Sequence, residues 1–213
     1  MRSLILGLAV TVSATSVFGA EVQFGSDWKE QRFSLFSSND YGFQGTSLTV
    51  VSEGSVSLAY APLDETLWGA RGAKWSWNVQ EGVPATDLRN KGGDDRNLAL
   101  YAIFLPADDA ERLKGKSIRR LLKSESVRVL TYVWGGSHKR GAFLDSPYLG
   151  TRGKTIILRP SGNGKFSEQV DLATDYKRAF GDELETIVGF AVSADSDDTD
   201  TVIRASISDL SVN

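Results

Sequence analysis

The chain has 213 residues, with 24 Lys and Arg against 27 Asp and Glu, a single His, a single Met and no Cys. Without cysteine there is no disulfide framework, thiolate zinc site, iron–sulfur cluster or cysteine nucleophile, and any catalytic triad would have to use His138. A formal net charge of −3 lacks the basic footprint of a nucleic-acid binder, so no nucleic-acid partner is expected.

Residues 1–20 carry Arg2, a charge-free and mostly apolar run from Leu4 to Phe18, and small residues at Gly19 and Ala20. That is the grammar of a secretory signal peptide. Cleavage after Gly19 is favoured over cleavage after Ala20, which would set bulky Phe18 three residues before the cut. Residues 21–213 are then expected to form a single exported domain, periplasmic or secreted. No transmembrane segment is expected, because no later stretch is apolar over the roughly 20 residues a bilayer requires.

Beyond the leader the patterning is mostly β. Ser47–Val51 and Ser55–Tyr60, joined through Ser52-Glu53-Gly54, predict a hairpin. Ala73–Val79 alternates, with Ala73, Trp75, Trp77 and Val79 on one face and polar residues on the other, as a half-buried strand does. Asn97–Leu105 is apolar on both faces and predicts a central strand. Ser126–Trp134 divides into Val127, Val129, Thr131 and Val133 on a core face and Arg128, Leu130, Tyr132 and Trp134 on a second face. A second hairpin is predicted from Lys154–Arg159 and Lys165–Asp171 around Pro160-Ser161-Gly162-Asn163-Gly164. Thr186–Ser193 is again apolar on both faces, and Val202–Ser211 closes the chain with Ile203, Ala205 and Ile207 inward.

Two helices interrupt the strands. Pro106–Lys123 starts with Pro and acidic residues, ends with Arg119, Arg120 and Lys123, and carries Gly115 at its middle. The second runs from about Leu172 to Phe180, between an Asp171 N-cap and a Gly181 stop. About nine short strands with glycine-rich turns predict a mainly β fold, an antiparallel jelly-roll-like β-sandwich with one or two short helices.

The order of several short motifs is similar to that of a bacterial exported family, the domain of unknown function 3047. They are Trp75-Ser76-Trp77, Lys91-Gly92-Gly93-Asp94-Asp95, Tyr132-Val133-Trp134-Gly135, Asp171 with Asp175-Tyr176, Phe180-Gly181, and Ala194-Asp195-Ser196-Asp197-Asp198-Thr199. The resemblance covers about residues 25–212. The pattern also resembles galactose-binding-like jelly rolls such as carbohydrate-binding modules, an analogy at the level of fold.

The candidate ligand-binding residues are Asp94, Asp95, Tyr101, Tyr132, Trp134 and Arg204. Tyr132 and Trp134 would stack on a ligand from the second face of a central strand, Tyr101 would share that surface, and Asp94, Asp95 and Arg204 would bond its hydroxyls. Asp195, Asp197 and Asp198 form an acidic loop whose hard oxygens suit Ca²⁺, although the EF-hand pattern is not met; the alternative is a solvated Asx-rich turn. His138 lies in a basic, glycine-rich loop and reads as solvent-exposed. The leading expectation is an exported, non-catalytic domain that binds carbohydrate or another polyhydroxylated envelope ligand and is stabilised by calcium. One alternative is a glycoside hydrolase or lyase, with Asp94 or Asp95 set against Asp175 or Asp195. The other is an envelope protein–protein interaction domain that uses the basic helix at 106–123.

Overall fold

A computed structural model describes residues 19–35 and 37–213; the expected leader, up to residue 18, lies outside them. Strands β1 (Ala20–Glu21), β2 (Lys29–Arg32), β3 (Asp40–Gln44), β4 (Ser47–Glu53), β5 (Val56–Pro62), β6 (Gly72–Glu81) and β7 (Arg96–Leu105) precede helices α1 (Ala107–Leu113) and α2 (Ile118–Leu122). Strands β8 (Arg128–Trp134), β9 (Phe143–Ser146), β10 (Gly150–Arg159) and β11 (Gly164–Asp171) follow, then α3 (Leu172–Phe180), β12 (Thr186–Asp195) and β13 (Val202–Val212).

The strands form two facing sheets of a jelly-roll sandwich. One has the order β11-β6-β13-β4-β3, with β1 added along β13; the other has the order β2-β5-β12-β7-β8-β10-β9. Neither predicted hairpin forms. β4 and β5 lie in different sheets, as do β10 and β11, so the glycine-containing turns carry the chain across the sandwich. The second sheet is mixed, because β10 runs parallel to β8. A turn-rich sequence between two strands signals a change of direction; it does not say which neighbour supplies the hydrogen bonds.

The predicted helix at 106–123 is two helices. Gly115 takes a left-handed φ of 68°, and the ladder breaks between Leu113 and Ile118. By contrast, α3 has its predicted ends: the Asp171 carboxylate accepts from the Thr174 N–H, and Gly181 closes the last turn at φ 85°.

The main core lies between the sheets. From β6, Trp75 and Trp77 reach across to β8, where Trp75 meets Tyr132 at 5.6 Å between ring centroids and Trp77 meets Trp134 at 5.6 Å. Leu98, Leu100, Ala102 and Phe104 of β7 and Phe190 and Val192 of β12 complete that layer. The faces of β8 are therefore the reverse of those expected: Leu130, Tyr132 and Trp134 point into the core, while Val129 and Thr131 point to the outer side of the second sheet. Tyr132 is 0% and Trp134 1% exposed. Two large rings facing two tryptophans bury more apolar surface than the Val/Thr face can, and that difference selects the face.

If Trp134 is a core residue, Trp134→Ala should cost about 3–5 kcal/mol in urea unfolding. A loss within about 0.5 kcal/mol, the usual effect of a surface substitution, would contradict the burial.

Candidate functional site

The outer face of the second sheet is only partly covered. At one end α1 and α2 lay Ala110, Leu113, Ile118 and Leu121 over Ile103, Leu105, Val127 and Val129. At the other, Leu88 packs with Ala99, Val133 and Ile157. Between the two caps lies a cleft of about 550 Å³, within the range of small-ligand sites. Two aromatic side chains stand at its edge, Phe33 at 59% and Tyr148 at 55% exposure.

The charged end of this cleft is built around Arg96. Arg96 and Asp195 are cross-strand partners of β7 and β12, and Ala99 is the partner of Ser193. Three steps along β7 thus match two along β12. Simple alternation would set Arg96 with Leu98 on the core side; the irregularity turns it outward to join Tyr101, as a β-bulge re-aims a side chain. Gly135 passes so close that a Cβ there would lie 2.7 Å from the Arg96 Cβ.

Arg96 Nη1 lies 3.1 Å from Asp94 Oδ2 and 3.0 Å from Asp195 Oδ2. Its Nη2 donates to Tyr101 Oη at 2.8 Å, and Tyr101 Oη shares a 2.9 Å hydrogen bond with Ser193 Oγ. The second oxygen of Asp94 accepts from Tyr148 Oη at 2.9 Å, and the Lys91 ammonium sits 5.3 Å from the Tyr148 ring centroid. Arg96, Asp94, Asp195, Tyr101 and Ser193 are buried or half-buried in the cleft wall, so their interactions are far less screened than surface pairs, whereas Lys91 and Tyr148 are exposed.

Asp195 differs from its neighbours. Its Oδ1 has no hydrogen-bond partner. Burial pushes its carboxyl up to about 8; Asp197 and Asp95 add to the rise, and the opposing pull of Arg96 does not cancel it. The balance favours the protonated form of Asp195. Burial and the nearby carboxylates of Asp197, Asp95 and Asp94 also raise Asp198.

Asp94 and Tyr101 line the cleft, and so do Asp195, Asp197 and Asp198. Asp95 does not line it. It is fully buried and holds the 195–200 loop, accepting from the Asp198 N–H at 3.3 Å and from Thr199 N–H and Oγ1 at 2.7 and 2.5 Å. Among the described residues, Asp95, Asp197 and Asp198 are the group that can converge on a cation, with one oxygen each within 4.8 Å of the others. Asp95 thus stands where Asp195 was expected, because Asp195 is turned toward Arg96. Arg204 lies on β13 in the opposite sheet, exposed and beside Glu53 and Glu81. Tyr132 and Trp134 are core residues. Asp175 sits on α3 and accepts from Tyr132 Oη at 3.0 Å, away from the cleft. His138 is half-buried, with its Nε2 3.0 Å from Asp87 Oδ1.

Sequence reasoning missed Tyr148 and Phe33 altogether and gave Arg96 no part in the candidate site. The signal for Tyr148 was a lone aromatic in the turn Ser146-Pro147-Tyr148; for Arg96 there was none, since a bulge leaves no mark in the alternation.

The raised Asp195 carboxyl links stability to pH. Its folded pKa lies above the ordinary value of about 3.9, so the folded protein holds an extra proton between the two. The stabilisation is complete below about pH 4 and is lost as the pH rises toward about 8. The stability of the native protein relative to Asp195→Asn should fall across that window, by up to about 1.4 kcal/mol per pH unit. Urea curves for the two proteins that keep a constant gap between pH 5 and 8 would contradict the assignment.

Solved structures with a similar fold are known. The xyloglucanase domain of NopAA, a type three effector from Sinorhizobium fredii in complex with cellobiose, is 11% identical, with a TM-score of 0.46 over 91% of this chain and 97% of that one. A cellulase derived from Cel12A of Rhodothermus marinus is 11% identical, with a TM-score of 0.45 over 91% and 99%. The family 11 xylanase from Neocallimastix patriciarum is 10% identical, with a TM-score of 0.41 over 92% and 100%. At such identities the likeness is one of fold. No curated protein matches the sequence. The expected non-catalytic, ring-stacking binding domain is corrected, because the rings meant to grip the ligand, Tyr132 and Trp134, are sealed in the core. A family model described as "Protein of unknown function (DUF3047)" matches residues 26–211, and the chain belongs to that family.

Proposed function

We propose that the protein hydrolyses glycosidic bonds in this cleft, with Asp195 as the proton donor and Asp94 as the nucleophile. One observation carries the reading: a single guanidinium nitrogen holds one oxygen from each of two carboxyl groups on the same cleft wall. The two oxygens can be no farther apart than the sum of those contacts. That is short of the roughly 6.5–9.5 Å that leaves room for an attacking water in inverting enzymes, and it suits a retaining pair.

In the first step the Asp195 proton passes to the leaving oxygen while an Asp94 oxygen attacks the anomeric carbon. The glycosidic bond breaks and an ester to Asp94 forms. In the second step Asp195, now a carboxylate, takes a proton from water, and the resulting hydroxide displaces Asp94. Arg96 and Tyr148 position Asp94 throughout, and Phe33 and Tyr148 offer faces on which a sugar ring can stack. The pair replaces the Asp94–Asp175 alternative, because Asp175 does not reach the cleft. The leader pattern of residues 1–20 supports action outside the cytoplasm on envelope or external glycosides, and no helix among the described residues is long and apolar enough to cross a membrane.

A panel of aryl glycosides and soluble polysaccharides tests the reading. Turnover is expected on at least one substrate, with kcat lowered about 10²-fold or more in Asp94→Asn. On the same substrate kcat/KM should hold through neutral pH and fall as the pH passes about 8, where Asp195 loses its proton. Absence of turnover across the panel, or an Asp94→Asn variant with full activity, would overturn it.

A further inference from the structure

The polarity of the cleft changes along its strands, and the registers show how. At one level stand Arg96 and its partner Asp195. Further along, Tyr101 is level with Thr131 and Ala191, and Thr131 with Thr155, so only hydroxyls remain. Further still, Ile103 is level with Val129. There α2 closes the cleft with Ile118 and the half-buried Leu122, and Leu149 forms the side wall. From Arg96 to Ile103 the floor runs roughly 20 Å at about 3.3 Å per residue.

We infer that the apolar half binds the aglycone of the substrate, and that this aglycone is an alkyl or acyl chain: the substrate class is an amphipathic glycoside rather than a long polysaccharide. The inference rests on the hydrolytic reading for the sugar and on the lining for the chain. The charged end presents carboxylate acceptors at Asp94, Asp197 and Asp198 and the unpartnered Asp195 Oδ1 as a donor, which match the hydroxyls and the glycosidic oxygen of a single sugar. The far end presents only hydrocarbon. A second or third sugar placed there would bury hydroxyls with nothing to bond them, which is unfavourable; a methylene chain would lose only its contact with water. A closed end at α2 and a volume of about 550 Å³ also fit one sugar with a chain better than a polymer that must pass through.

Two measurements on the full exported chain separate this inference from the reading beneath it. Binding of methyl, butyl and octyl thioglycosides, which resist hydrolysis, is followed by calorimetry below their micellar concentrations for glucose and galactose heads. Turnover of the matching oxygen glycosides is followed in parallel. Affinity should rise at least tenfold from butyl to octyl, since each methylene contributes up to about fourfold. Leu122→Asn and Leu149→Asn, both at half-buried wall positions and each checked for folding by thermal melting, should flatten that rise. Turnover with equal affinity for methyl and octyl compounds would overturn the aglycone site and spare the hydrolase. A chain-length dependence lost in both variants, without turnover of any glycoside, would support the apolar subsite and overturn the hydrolase. Thioglycoside affinity that ignores chain length, with no turnover, would overturn both.

Discussion

The site depends on one guanidinium. Arg96 is nearly buried, and so are the two carboxyl groups it holds. Removing these charges from water is costly, and the cost is offset by the acceptors close by: Asp94 and Asp195 for Nη1, Tyr101 for Nη2, and Ser193 beside Tyr101; Nε is buried without a partner. The guanidinium cannot lose its proton, so it holds the two carboxyls together whatever the state of Asp195. Their different surroundings then divide their roles. Asp94 receives two donors, from Arg96 and Tyr148, whereas Asp195 has one oxygen without any and faces further carboxylates. Two carboxyls held at short range in unequal surroundings can act as acid and nucleophile.

The sandwich makes this possible through its aromatic core. Once Trp75 and Trp77 demand rings opposite them, Tyr132 and Trp134 must turn inward, and the odd-numbered residues of β7, β8 and β12 become the floor of the cleft. Packing in the core thereby decides the chemistry of the outer face. The same alternation that seals the rings turns Tyr101, Thr131, Ser193 and Asp195 toward the cleft. The helices α1 and α2 cover the most apolar part of that face and leave the rest open. An all-β sheet with both faces apolar must be covered or must bind something; this one does the first at its two ends and leaves a cleft between them.

Much of this was legible in the residues. The two-faced apolar strands β7 and β12 and the alternating β6 lie where their patterns place them, and α3 carries the cap and stop that its ends predict. Asp94 was legible too: it is one of the candidate residues named from the sequence, and it lines the cleft. Three features were not. The sheet membership of β4, β5, β10 and β11 depends on partners distant in sequence, which turn residues do not encode. The face of β8 depends on which side offers a better cavity for large rings, and the period-2 pattern is silent when both faces are apolar. Arg96 depends on a bulge, which breaks the alternation that sequence reasoning relies on.

The central claim is that Asp94 and Asp195, joined by Arg96, form a catalytic pair at the short spacing. The stereochemistry of the product tests it most directly. Proton NMR of the first-formed sugar, recorded before mutarotation, should show the anomeric configuration of the substrate retained. Release of the opposite anomer would require a wider pair with a water between its members, and would contradict the assignment.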